Sequence, residues 1–167
     1  MKRVVLLIAA LAVSGSAFAK EMNVKVPDAG WSIHFDSPPL SNPEEAKSGD
    51  DFAFKGNAGR FNLSLFVESP GAAGSSSKDC YEFYWPKARR NPYIDPDTVV
   101  VSETPKYVRV QYDMGVEFQG KSIRHRNVNY YFIFQAKWVD VHISVVDPRS
   151  EDEAIFAAFD KSLEYGE

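Results

Sequence analysis

The chain predicts an α+β fold, an antiparallel sheet with a C-terminal helix packed on one face. Two observations carry that reading. In the second half, Val139, Val141, Ile143 and Val145 alternate with Trp138, Asp140, His142 and Ser144, the period of a strand with one dry face and one wet face. Further on, Ile155, Phe156, Phe159 and Leu163 fall at one-turn spacing behind Ser150-Glu151-Asp152-Glu153. That tetrad has the form of a capping box, and three acids in a first turn suit the helix dipole. A strongly amphipathic terminal helix after one-sided strands should cover their dry face.

The N-terminus reads as an address. Lys2 and Arg3 precede the unbroken apolar run Val4 to Val13, and Ser14 to Ala19 ends in small residues. This order predicts a secretory signal peptide over residues 1–19, cut after Ala19, and a periplasmic or secreted protein. A membrane anchor fits poorly, because a run of about ten residues spans only about 15 Å as a helix, half a hydrocarbon core. The remainder, 20–167, is the size of one domain and shows neither an internal repeat nor a second unit.

Composition excludes several classes. The full chain carries 19 basic and 23 acidic residues, and two of the basic ones leave with the signal. A mildly acidic body argues against bulk binding to nucleic acid or anionic lipid. After cleavage no segment is long and apolar enough for membrane insertion. Cys80 is the single cysteine, so an exported domain must be held by packing instead of disulfides. With no His or basic residue beside it, Cys80 reads as a small buried side chain on a helix.

Met22 to Val26 reads as an edge strand. In Gly30-Trp31-Ser32-Ile33-His34-Phe35, Trp31, Ile33 and Phe35 alternate with Ser32 and His34 as in a half-buried strand. Asp36 to Asp50 is polar and interrupted by Pro38, Pro39 and Pro43, the composition of a loop. Asp51 to Lys55 and Arg60 to Glu68 read as a hairpin turned by Gly56-Asn57-Ala58-Gly59. Pro70 to Ser77 is flexible by composition. Ser77 or Asp79 then caps a short helix with Cys80, Phe83, Tyr84 and Ala88 on one face, limited by Pro86. Asn91-Pro92 and Asp95-Pro96-Asp97 are turn sequences. Thr98 to Glu103, Tyr107 to Met114, Ser122 to Gln135 and Trp138 to Val146 complete the strands, the last two separated by Ala136-Lys137.

No catalytic signature emerges. The chain has no Gly-x-Ser-x-Gly, no phosphate loop and no dinucleotide fingerprint. His34, His125 and His142 lie on separate predicted strands opposite the apolar side, the pattern of solvated histidines. Glu44-Glu45, Asp50-Asp51 and Asp95-Pro96-Asp97 do not follow a calcium-loop pattern and read as loop solubility. The reading is therefore of no enzyme, no cofactor and no metal site. The competing reading is a hydrolase with dispersed groups, drawing on Asp140, His142 or Glu117.

Two basic spots interrupt the acidic background. Lys121, Arg124, His125 and Arg126 open the long strand pair. Lys87, Arg89 and Arg90 follow Tyr81, Phe83, Tyr84 and Trp85 and precede Tyr93. Aromatic and arginine side chains anchor many interfaces, so Trp85, Arg89, Arg90 and Tyr93 are the candidate partner-binding residues, projected by a helix break at Pro86.

Gly30-Trp31-Ser32-Ile33-His34-Phe35 with Pro38 soon after, the strand Trp138 to Val146, and the closing Phe159-Asp160-Lys161-Ser162-Leu163 together resemble the Mog1/PsbP-like superfamily at the two ends of the mature chain. The resemblance implies an antiparallel sheet flanked by helices and a non-catalytic binding or assembly role, with no site residue to carry across. The expected function is an exported soluble binding factor whose partner is another exported or envelope protein. A small immunity-type inhibitor of a toxin or hydrolase is the alternative with the same size and charge.

Overall fold

The structure, a computed structural model, describes residues 19–70 and 74–167. The predicted signal segment up to residue 18, and 71–73 of the segment expected from composition to be flexible, lie outside the described residues.

Strands β1 (Lys20–Val26), β2 (Trp31–Ser37) and β10 (Glu164–Gly166) form a three-stranded antiparallel sheet with β2 in the middle. The second sheet has seven antiparallel strands. They are β3 (Ser41–Ser48), β4 (Asp51–Ala58), β5 (Phe61–Glu68), β6 (Val100–Glu103), β7 (Val108–Phe118), β8 (Lys121–Phe134) and β9 (Lys137–Val146). Their order is β3-β4-β5-β9-β8-β7-β6, so sequence neighbours pair except where β9 inserts beside β5. Helix α1 (Ser77–Ala88) links the two halves of this sheet, and α2 (Glu153–Ser162) follows β9.

Strand period places two cores on opposite faces of the large sheet. Phe61, Leu63, Leu65 and Val67 of β5, Val128, Tyr130 and Phe132 of β8, and the odd residues 139–145 of β9 face one way. Trp31, Ile33 and Phe35 of β2 and Phe156, Phe159 and Leu163 cover them. Phe159 stacks between Phe35 and Tyr130 at centroid distances of 4.9 and 5.2 Å. The terminal helix thus covers the dry face as its stripe predicts, sharing the task with the small sheet. On the opposite face, Cys80 and Trp85 of α1 pack on Val108, Val110, Tyr112, Tyr131 and Trp138. Among the described residues the result is a mixed α+β fold of two antiparallel sheets and two α-helices.

Several local expectations are corrected. The polar segment expected as a loop contains β3, an exposed edge strand whose register slips between Ser41 and Glu44. Pro43 sits within that bulge, where no ladder donor is needed, and the charges of an edge strand mask its pairing signal. The β4–β5 ladder runs on to Ala58 opposite Phe61, leaving Gly59-Arg60 as a two-residue turn with Gly59 at φ 60°. Gly56 is therefore a strand residue: a Cβ there would lie 3.1 Å from Leu40 Cδ1. The N-cap of α1 is Ser76, which accepts from the Asp79 amide while the Asp79 carboxylate accepts from the Ser76 amide. Pro86 does not break α1. It falls in the last turn, and Arg89 N still donates to Trp85 O at 2.9 Å. Ser150 starts a single 3-10 turn, Ser150–Asp152, and it is Asp152 that accepts from the Arg149 amide at 2.8 Å.

Candidate binding site

The face of the large sheet that carries α1 is only partly roofed. Register puts Glu44, Lys55, Ser64, His142 and Asn129 on one rung across β3, β4, β5, β9 and β8. Asn57, Asn62, Ser144 and Asn127 form the next. On the other side of the first rung lie Ala46, Ala53, Phe66, Asp140 and Tyr131. Helix α1 covers the β7–β8 side, with Tyr84 stacked over Tyr131 at 6.1 Å and Trp85 against Tyr112 at 5.2 Å. The β3–β5 side stays open as a trough of about 470 Å³ with Asn42, Lys55, Asn57, Asn62, Ser64 and His142 in its lining. Asn42, at φ 47°, stands at the β3 bulge on the trough's outer side.

At the boundary between roof and trough two titratable groups are held by amides. Asn129 Nδ2 donates to Asp140 Oδ1 at 2.8 Å, and its Oδ1 accepts from the Tyr112 hydroxyl at 3.2 Å. Asn127 Nδ2 donates to the His125 carbonyl at 3.2 Å, so its Oδ1 accepts and His142 Nε2, 3.1 Å away, is the donor. That places a proton on His142 Nε2. Both titratable side chains keep some solvent contact, yet each is hemmed by protein. Burial pushes Asp140 up to about 7 against the pull of the Asn129 bond, and the nearby Glu68 adds to the rise. Burial alone pushes His142 down to about 4. Burial, with Asp140 beside it, raises Tyr112 to about 12.

The roof is less well satisfied. Tyr131 Oη and Trp138 Nε1 are buried without a hydrogen-bond partner, each at a cost of about 1–3 kcal/mol. The Tyr84 hydroxyl donates to Glu68, and burial together with that carboxylate drives its pKa upward. Cys80 is fully buried, its Sγ 3.6 Å from the Val139 carbonyl, and burial raises it to about 12. An inert helix thiol is what its sequence context predicts.

The residues singled out in the sequence separate. Trp85 is 3% exposed and belongs to the second core, which removes it from any contact surface. The expected face was rotated: α1 turns Cys80, Tyr81, Tyr84, Trp85 and Ala88 inward and leaves Phe83 outside, with Lys87 Nζ 3.3 Å above its ring. Arg89, Arg90 and Tyr93 remain exposed. Of the dispersed hydrolase candidates, Asp140 and His142 share a face of β9, while Glu117 lies near the β7–β8 turn on the opposite face. His142 is not the solvated histidine its alternation predicts. Across the sheet from the trough, Arg124 and Arg126 line a groove of about 410 Å³, but Asp113 bridges both and Glu153 also pairs with Arg126. Glu44 pairs with Lys55 at 2.9 Å, and Asp95 caps the Pro96–Thr98 turn. Among the described residues no three His, Cys, Asp or Glu side chains are grouped as metal ligands. Nor, among them, is any helix long and apolar enough to cross a membrane.

Sequence reasoning missed Asn127 and Asn129. Their signal was present as two amides at strand spacing inside the run Val128, Tyr130, Tyr131 and Phe132, where an unpaired polar group would be costly.

The fold and site define a mixed α+β protein with a polar recess on its larger sheet. No family model and no curated relative matches the chain. A crystal structure from Bacteroides thetaiotaomicron VPI-5482 is similar at 14% identity and a TM-score of 0.44, over 81% of this chain and 45% of that one. The chain thus spans less than half the length of that neighbour.

Proposed function

We propose that this protein is an exported, non-catalytic binding factor and that the trough on the large sheet is its ligand-contact surface. The observation that carries the reading is the open trough whose lining includes His142, fixed by Asn127, with Asp140 fixed by Asn129 at its boundary. Side chains held in one rotamer around an open polar groove are pre-organised for a ligand. Their bonding favours binding over turnover. His142 donates to Asn127 and Asp140 accepts from Asn129, so neither group is tied to the other as a base and its orienter would be. The Cys80 thiol is engaged with a backbone carbonyl instead of a base.

The Lys2-Arg3 start, the Val4 to Val13 run and the Ala17-Phe18-Ala19 exit support export. The proposed kinship with the Mog1/PsbP-like superfamily rests on the sequence resemblance of Gly30 to Phe35, Trp138 to Val146 and Phe159 to Leu163. The test is amide chemical-shift mapping of the isotopically labelled protein against a soluble envelope extract. The expected result is perturbation centred on Asn57, Asn62, Ser64 and His142, with the extract's components unchanged afterwards. Perturbation confined to other surfaces, or accumulation of a product abolished by Asp140→Asn, would overturn the reading.

A further inference from the structure

We propose that the trough takes a neutral oligosaccharide; this rests on the reading of the trough as a binding site and names the chemistry of its ligand. Charge comes first. Lys55, the cation in the lining, is paired with Glu44 at 2.9 Å, so an anionic ligand would meet no unpaired cation there. His142 donates Nε2–H to Asn127, and burial of the ring disfavours its charged form. The rest of the polar lining is amide and hydroxyl: Asn42, Asn57, Asn62 and Ser64. Each such group offers donor and acceptor together. Vicinal sugar hydroxyls do the same, and few other ligand groups use both functions at every position.

Shape agrees with charge. The two polar rungs cross β3, β4, β5 and β9, and at the usual strand separation they extend roughly 14 Å. That length suits a short oligosaccharide better than a single sugar. Phe66 stands on the same face of β5, two residues from Ser64, and is 43% exposed. Its cross-strand neighbour on β4 is Ala53, and Ala53 is opposite Ala46 on β3. Two small residues beside an exposed ring form a shelf on which the C–H face of a pyranose can lie. Among the exposed large apolar side chains, Phe66 is the one on the strands that build the trough, so the site lacks the several aromatic or arginine anchors of a protein interface.

The experiment titrates the labelled protein with maltotetraose, cellotetraose and chitotetraose at millimolar concentrations. Trigalacturonate and an acetylated tetra-alanine peptide serve as anionic and peptide probes. At least one neutral tetrasaccharide is expected to give saturable shifts at Asn57, Asn62, Ser64 and Phe66. Phe66→Ala and the double variant Asn62→Ala/Ser64→Ala should each weaken that binding about tenfold with the melting temperature of the double variant unchanged. No saturable shift from any neutral tetrasaccharide overturns the carbohydrate assignment, as do saccharide shifts located outside the trough. Trough shifts from the peptide, the anion or an envelope protein alone overturn it too, while leaving the trough as a binding site.

Discussion

Asp140 and His142 point to the same side of β9 two residues apart, and burial pushes their pKa values toward each other and past: the acid rises to about 7 while the base falls to about 4. Each is fixed by a β8 asparagine, Asn129 or Asn127. Burial thus disfavours the charged form of both groups.

The pair also opposes itself in stability. The raised Asp140 favours the fold fully below its unfolded value of 3.8 and loses that contribution as pH rises to about 7. The lowered His142 costs the fold its proton below 6.5, so its contribution is lost as pH falls from 6.5 to about 4. Between these limits the two slopes nearly cancel. Asp140→Asn should therefore unmask a stability that climbs from pH 4 to 6.5. His142→Gln should unmask one that declines over the same range, each by on the order of 2 kcal/mol. Urea unfolding at a series of pH values checks this; parallel slopes in the two variants would contradict it.

Trp85 supports the fold by packing on Tyr112. Trp85→Ala should cost about 3–5 kcal/mol, as truncation of a core aromatic does. Arg89→Ala and Arg90→Ala, on exposed positions just past α1, should stay within about 0.5 kcal/mol of the parent. Denaturant midpoints for the three variants separate the cases.

The contrast between Trp85 and Phe159 shows what the chain's pattern discloses. Phe159 belongs to a stripe with one solution, and its burial follows from spacing. In α1, nearly every position from Cys80 to Trp85 is aromatic or apolar, so several faces fit and only the docking geometry selects Trp85 over Phe83. Alternation likewise reveals β2, β5, β7, β8 and β9, whose one-sided burial writes itself into period two. It hides β3, which buries no residue. The trough was illegible for a related reason. It is assembled by register across four strands, and a polar residue on the wet side of a strand looks the same whether it meets bulk water or an enclosed recess.

The β8–β9 turn is an opportunity for stabilisation. Gln135 and Ala136 occupy φ 46° and 57°, the left-handed region that both central residues of a type I′ turn require. Side chains with a Cβ pay for that conformation at about 1–2 kcal/mol per residue, and Asn and Gly relieve it. Gln135→Asn/Ala136→Gly should raise stability by about 1 kcal/mol. An increase in melting temperature without altered trough shifts is the expected reading.

Arg60 and Asp152 tie three elements together through one ion pair. Arg60 ends the β4–β5 turn, and its NH1 donates to the Val146 and Asp147 carbonyls at 3.0 and 2.7 Å. NH2 donates to Asp152 Oδ1 at 3.0 Å, and NH1 lies 2.9 Å from Oδ2. Asp152 in turn accepts from the Arg149 amide ahead of α2. The carboxylate is buried and the guanidinium about one-third exposed, so the cost of removal is unequal. Arg60→Ala strands a buried charge and should cost about 3–5 kcal/mol. Arg60→Lys should recover little of that, because one ammonium cannot reproduce a fork whose two arms reach a carboxylate and two carbonyls. Asp152→Ala frees an arginine that can turn to water and still bond two carbonyls, and should cost about 2 kcal/mol. A double-mutant cycle by urea unfolding should return a coupling of at least about 1 kcal/mol. A coupling near zero would mean that the β4–β5 turn and the start of α2 are held independently.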